Sequence, residues 1–332
     1  MRKQLALMGA LLIGLHLLLM QWAPALRSLP MMQWLSRDEL LEACLSLELG
    51  RPEAAASPAP SAVPTVSPAP SPTPSPEPTE APEVLAETMA GAIDVQNSSG
   101  YEIDVAALLT EGPGLQLQKD RPQILIIHTH SSEAYTPDDF DFYEASDNSR
   151  TQDPKFNIIR VGDALTEALR GYGLEVIHDR EIYDYPSYTG SYTRSGEAIE
   201  QYLAKYPELA MVIDVHRDAI YQGDVVYKTV AEGQGDPCAQ TMLVMGSSGS
   251  GLHHPDWREN LKLALYLQSA IYQKTPSLLR PIKLVPERYN QHLTHGSMIL
   301  EVGSNGNTLQ EALNAVELFA QGAGPALADL VR

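Results

Sequence analysis

Cysteine is nearly absent: two residues among 332, Cys44 and Cys238. They stand too far apart to build a disulfide framework, and no Cys-based zinc signature exists. A Cys44–Cys238 bond would have to span a flexible Pro-rich stretch, which argues against it. Positive charge is also scarce, with 23 Lys and Arg against 42 Asp and Glu and a formal charge of −19. Nucleic acid is excluded as a partner, because binding it needs a basic footprint. Three chemical signatures fail as well. The run Gly246-Ser-Ser-Gly-Ser-Gly lacks the lysine of a P-loop and does not fit the dinucleotide fingerprint. It misses the serine-hydrolase elbow too, since Ser250 occupies the place of the last glycine. Long apolar runs are missing everywhere except at the N-terminus.

What is present begins with that run. Arg2 and Lys3 precede Leu5–Met20, broken only by Gly9, Gly14 and His16. Residues 1–26 read as a membrane-targeting segment. Ala23-Pro24-Ala25 has the form of a cleavage site, but its proline favours an uncleaved anchor. Arg2 and Lys3 then lie inside the cell and the rest outside. Residues 27–51 contain a short amphipathic helix, capped by Ser36 and Glu39 and stopped by Gly50. Residues 52–83 are Ser-Pro, Ala-Pro and Thr-Pro repeats, a polyproline II tether reaching about 90 Å. The remaining stretch, 84–332, is predicted to be the catalytic domain.

That stretch alternates short apolar runs with amphipathic helical segments. Strands are expected at Ile124–Ile127, Leu174–Ile177, Met211–Val215, Val225–Val230, Thr241–Met245, Ile282–Val285 and Ser297–Val302. Helices are expected after Asn157, over Ser195–Tyr206, after Asp256 and Glu259, and after the Thr308–Glu311 capping box. Ile103–Leu109 fits either a first helix or an edge strand. The alternation predicts a three-layer αβα domain around a mainly parallel sheet.

Three of the predicted strands end in chemistry. QILIIHTHSSEAY runs into His128, His130 and Glu133; MVIDVH ends at His216; SMILE ends at Glu301. Ligands of open α/β sheets bind at the carboxyl ends of the strands, so parallel pairing would bring these residues to one edge. Two histidines, a carboxylate and an open position suit a catalytic zinc, and a further Glu suits a base. On an extended segment His128 and His130 would face the same side. Asp214 is placed to orient a histidine from behind. Glu301 would take a proton from water and pass it to a leaving amine, the sequence that amide hydrolysis needs. Arg217 carries a fork suited to a substrate carboxylate, although Arg217–Asp218 also fits a surface ion pair. The Gly246–Gly251 loop is expected near this site, with His253 and His254 as loop residues.

HTHSSEAY (128–135), IDVHRDA (213–219), ERYNQ (287–291) and LEVGSNGNTLQEA (300–312) together resemble the stage II sporulation protein P family. The resemblance runs from Gln123 to about Leu327 and includes the anchor and the tether. It implies an amidase-like αβα domain and a Zn2+-dependent N-acetylmuramoyl-L-alanine amidase, which cuts the amide joining muramic acid to the stem peptide of peptidoglycan. The family is also associated with cleavage of peptide cross-links. It acts in forespore engulfment with stage II sporulation proteins D and M, from a cell-membrane anchor with the catalytic domain outside. By resemblance the metal ligands are His130 (His128 as the alternative) and His216, with Glu301 catalytic. Arg288, Asn290 and Gln291 match a motif expected at the substrate groove. The family pattern also implies a ligand Glu at the start of the helix after the first strand. Asn157 stands there in this sequence, and Glu133 is the candidate for that role. Two other readings compete: a catalytically silent wall-binding scaffold, and a metallopeptidase acting on cross-links only.

Overall fold

The computed structural model describes residues 82–145 and 149–332. The expected anchor, the amphipathic stretch, Cys44 and all but the last residues of the tether lie outside the described residues. Among the described residues no helix is long and apolar enough to cross a membrane.

The described elements are α1 (Pro82–Ala92), β1 (Val95–Asn97), α2 (Val105–Glu111), β2 (Ile124–Ile127), α3 (Ile158–Arg170), β3 (Val176–His178) and α4 (Ser191–Lys205). They continue with β4 (Met211–Asp218), β5 (Tyr221–Gln222), β6 (Val225–Val226), β7 (Thr241–Met245), α5 (Trp257–Tyr272), β8 (Ile282–Leu284), β9 (Gly296–Ser304) and α6 (Leu309–Ala328). Seven strands form one sheet in the order β1-β8-β7-β9-β4-β2-β3. Every neighbouring pair is parallel except β7–β9, which is antiparallel. Strands β2, β3, β4 and β9 therefore point one way, and β1, β7 and β8 the other.

Period-two alternation divides the side chains between two faces. Ile124 and Ile126 of β2, Met211, Ile213 and Val215 of β4, and Met298, Leu300 and Val302 of β9 enter one large core. That core also takes the apolar stripes of α3, α5 and α6. Each fully buried aliphatic side chain there contributes about 1.5–3 kcal/mol relative to exposure. Leu125, Ile127 and Val212 face the other way, under Ile199, Tyr202 and Leu203 of α4. Met242, Val244 and Ile299 lie on that second face too, packed by Tyr289. Helices therefore cover both faces, but α4 covers the second almost alone.

Local signals account for most boundaries. Asn157 caps α3 by accepting the amide of Ile159, and Thr308 with Glu311 closes the capping box of α6. Three expectations need correction. Helix α4 starts at Ser191, four residues before Ser195, behind a left-handed Gly190 that offers no side-chain cap. Asp256 does not cap α5; its carboxylate lies 3.2 Å from His295. The expected strand Val225–Val230 shrinks to Val225–Val226 in an exposed two-stranded ribbon. Beyond it, Ser304 Oγ donates to the Tyr227 carbonyl and the Thr229 amide donates to Asn307 Oδ1. Side chains of the turn after β9 thus take the places of a neighbouring strand.

Candidate active site

His216 and Glu301 are register partners across the β4–β9 pair. Both fall on the second face, as does Asp214 two residues before His216. The near-continuous apolar run of β4 hides an alternation: Met211, Ile213 and Val215 enter the main core, while Val212, Asp214 and His216 face α4. Polar side chains thus replace apolar ones where the second face reaches the sheet edge.

The chain after β2 behaves differently from expectation. It leaves the extended conformation at Ile127 and turns through residues 129–132. His128 and His130 consequently do not share a side. His128 is fully buried, with Nδ1 3.0 Å from the Val215 carbonyl and Nε2 2.8 Å from His178 Nε2. His130 turns toward α4, where it stacks on Tyr188 at 4.3 Å and meets the His216 ring edge-on at 5.2 Å. Thr129 between them fixes the turn, donating to Asp214 through its amide (2.8 Å) and its hydroxyl (2.6 Å).

Glu133 completes the group. Its Oε2 lies 3.4 Å from His216 Nδ1 and accepts the Arg217 amide at 3.2 Å, while Oε1 is 3.4 Å from Arg150. The Glu133 carbonyl accepts the amide of Ile158, the first residue of α3, at 2.7 Å. This carboxylate is therefore presented from beside the helix start where Asn157 serves as the cap.

Burial and charge set the protonation states. Burial lowers His130 and His128 to about 3 each, so both rings are neutral at pH 7. Burial also opposes the charge on His216, but Asp214 and Glu133 flank it and hold it well above its usual value. Burial would raise Glu133, yet His216, Arg217 and Arg150 outweigh it and hold the carboxyl below the ordinary range. Glu301 goes the other way: burial first, then repulsion from Asp218, pushes it up to about 8. Its Oε2 is closed off from solvent and has no hydrogen-bond partner.

Among the described residues no three His, Cys, Asp or Glu side chains already converge on one point as a cation cage. Tyr188 Oη engages His130 Nε2 at 2.8 Å, and His216 Nε2 leans on Asp214 Oδ1 at 2.9 Å. The donor set nevertheless fits a zinc-type cation. It offers a neutral imidazole, an ionised carboxylate and His216, whose Nδ1 is 3.4 Å from that carboxylate and which would give up its proton on binding a cation. Ligands about 2.1 Å from a tetrahedral zinc are separated by about 3.4 Å.

Of the expected substrate-binding residues, Arg217 turns inward, while Asn290 and Gln291 line a pocket with Asp214 and Tyr289. Arg217 is buried, and its guanidinium donates to the carbonyls of Ala134 (2.8 Å) and Ser149 (3.2 Å). It is a positioning residue for Glu133 rather than an open fork. Asp218 pairs with Arg280 at 2.8 Å, not with Arg217. The antiparallel β7–β9 junction makes β7 and β8 leave the sheet at the end away from Glu301, but the segment after β8 returns across the second face and brings Tyr289 onto Tyr192. The Gly246–Gly251 loop is tied to the start of that segment, with the Ser247 amide bonded to the Glu287 carbonyl and Ser250 to Pro286. The loop leaves β7 at the end of the sheet away from Glu301, not at the strand ends that carry His216 and Glu301. Gln291 is buried, its amide bridging the Gly246 N–H and the Val244 carbonyl. Asn290 donates to Tyr192 and Ser195 and thereby pins α4, while Arg288 donates to the His253 carbonyl.

Sequence reasoning missed the aromatic side of the site. Tyr188 stacks on His130 under the guanidinium of Arg150, and Tyr192 approaches the same ring at 5.5 Å. Tyr289, at φ 50, turns its ring onto Tyr192 at 5.3 Å. Tyr289 lies within the ERYNQ stretch without having been singled out, and only the clustering of tyrosine over 183–192 hints at Tyr188 and Tyr192.

Residues 61–323 match the family described as Stage II sporulation protein P (SpoIIP). Over 219 residues the chain is 28% identical to Stage II sporulation protein P of Bacillus subtilis (strain 168), covering 63% of this chain and 52% of that relative. It thus spans about half the length of the curated relative it matches. Among solved structures it is similar to the N-acetylmuramoyl-L-alanine amidase AmiC2 of Nostoc punctiforme. That match has 11% identity over 62% of this chain and 96% of that one, with a TM-score of 0.36. It is similar also to the catalytic domain of CwlV from Bacillus (Paenibacillus) polymyxa var. colistinus, at 12% identity over 62% and 97% with a TM-score of 0.35.

Proposed function

The chain belongs to the stage II sporulation protein P family, and from that premise we propose that it is a zinc-dependent peptidoglycan hydrolase of sporulation. The bond we assign to it is the amide between muramic acid and L-alanine, with peptide cross-links as a second target. We assign it a membrane anchor over 1–26, a catalytic domain outside the cytoplasm, and stage II sporulation proteins D and M as partners in engulfment.

The observation that carries this reading is the pairing of an orphaned carboxyl with a cluster of metal-capable donors. Glu301 Oε2 has no partner and is pushed up to about 8 beside His216, Glu133 and His130. In this reading His130, His216 and Glu133 hold the zinc, with Asp214 setting the ring of His216. Zinc bound there supplies Lewis acidity to water and to the scissile carbonyl. Glu301 accepts the proton of the attacking water and returns it to the leaving amine of the stem peptide. The closed-off Oε2 shields the proton from bulk water between those two transfers, and a nearby dication would lower the carboxyl's hold on a proton, favouring the ionised form that accepts one.

The test is product analysis on purified peptidoglycan. Zinc-loaded protein should release intact stem peptides and leave free muramic acid lactyl ends, detected by mass spectrometry. Glu301→Gln should lower the rate by about 100-fold or more, and chelation should abolish it, with the far-ultraviolet circular dichroism of both proteins unchanged. Release only of peptides cut at cross-links would assign a metallopeptidase. Pelleting with wall and no cleavage at any protein concentration would assign a scaffold.

A further inference from the structure

The segment Pro137–Glu144 (PDDFDFYE) is built unlike the rest of the surface. Phe140 and Phe142 are 88% and 71% exposed, the two most exposed large hydrophobic side chains among the described residues. Carboxylates flank them at Asp138, Asp139, Asp141 and Glu144. The arm is held in place, not loose. Tyr143 between them is buried, donates to the Tyr135 carbonyl at 2.5 Å and stacks on Phe156. Asp138 Oδ1 accepts the amides of Phe140 and Asp141, a turn that holds the rings outward. The base of the arm is tied to the candidate site: Thr136 bonds to Asn305 and Asn307, and the Ala134 amide, next to Glu133, bonds to Ser149.

Apolar rings presented this way need an occupant. Protein interfaces deplete charge at their core, whereas here every ring is bordered by carboxylates. An anionic bilayer surface would be repelled by the same four acids. A neutral sugar chain satisfies both halves of the pattern. The C–H faces of pyranose rings stack on aromatic π-faces, and carboxylates accept hydroxyl and amide hydrogens at the ring edges.

We propose that the Pro137–Glu144 arm binds the glycan of the substrate: Phe140 and Phe142 stack on N-acetylated amino-sugar units, and the neighbouring carboxylates hydrogen-bond their edges. This rests on the hydrolase reading above, which brings an amino-sugar polymer to the site at the base of the arm. The arm then holds the strand while the stem peptide lies at Glu301, and it sets affinity for polymer without touching the scissile bond.

The experiment uses probes with no scissile amide, so that binding and hydrolysis are read separately. Binding of the full chain to two uncharged N-acetylated amino-sugar probes, the soluble N-acetylglucosamine hexamer and insoluble chitin, is measured by calorimetry and co-sedimentation. Phe140→Ala/Phe142→Ala should weaken glycan binding by about tenfold or more while leaving the thermal unfolding temperature unchanged. Phe140→Tyr/Phe142→Trp, which keeps the π-faces, should restore it. Equal affinity of the alanine variant and the parent would overturn the proposal, as would no glycan binding by the parent at millimolar concentration. Phe-dependent binding to phosphatidylglycerol vesicles, without glycan binding, would assign the arm to a membrane surface instead. Ring-dependent glycan binding by a protein that cleaves nothing would uphold the arm and refute the hydrolase.

Discussion

Glu301 occupies the point on β9 where the second face gives way from apolar to polar neighbours. It is held near 8 by burial and by Asp218. A carboxyl raised from its ordinary 4.5 to about 8 favours folding most when protonated. That contribution is complete below about pH 4.5 and is lost as pH rises through 8. Glu301→Gln carries no proton to lose. In metal-chelated protein the variant should therefore gain on the parent from pH 5 to pH 9, by a few degrees in Tm. Parallel curves for the two proteins would contradict the raised value. Arg217 makes the complementary case. Its charge is buried and directed at two carbonyls, with Glu133 bonded to its own amide. Arg217→Met should cost about 3–5 kcal/mol in urea unfolding, because it orphans those buried acceptors and removes a charge that stabilises Glu133. Arg217→Lys should recover only part, since an ammonium cannot reproduce the fork.

At the scale of elements, the contact between α3 and the ends of β2 and β3 passes through one glycine. A Cβ on Gly162 would sit 2.5 Å from His128 Nε2 and 2.6 Å from His178 Nε2, both in buried rings. Alanine would add up to about 1 kcal/mol of helix propensity, but overpacking a site without room costs about 1–3 kcal/mol. Gly162→Ala is expected to lower Tm. Gly91→Ala in α1, where a Cβ meets nothing within 4 Å, is expected to raise stability by about 0.4–1 kcal/mol. Differential scanning calorimetry of the two variants decides both signs. Helix α4 is positioned in another way, by Asn290 reaching across from a segment nearly a hundred residues later in the chain. That bond also sets Tyr192 against His130. No propensity within α4 itself could reveal this dependence.

For the molecule as a whole, acid should be the weak side. Burial lowers His128 and His130 to about 3 and His178 and His254 to about 4, each from 6.5. A base depressed in the folded state lends stability above pH 6.5 and loses it as pH falls toward the folded value. Each of the four removes up to about 1.4 kcal/mol per pH unit in that window. The urea midpoint of metal-free protein should therefore fall steadily from pH 6.5 to pH 4.5; a flat profile would contradict the buried neutral state of these rings.

The sequence by itself determined the alternation of strands and helices and the caps at Asn157 and Thr308, because these depend on local periodicity and local hydrogen bonds. It also showed which strands end in His and Glu. Only the tertiary structure decided where several residues went. A strand covered on both faces reads the same whichever way its neighbour runs, so the antiparallel β7–β9 junction was invisible, and with it the departure of the Gly246 loop from the opposite end of the sheet. The parting of His128 from His130 depends on a turn fixed by Asp214, more than eighty residues along the chain. The burial of Arg217 depends likewise on carbonyls of a different loop. Such contacts are set by which backbone groups meet in space, and periodicity in the sequence carries no record of that.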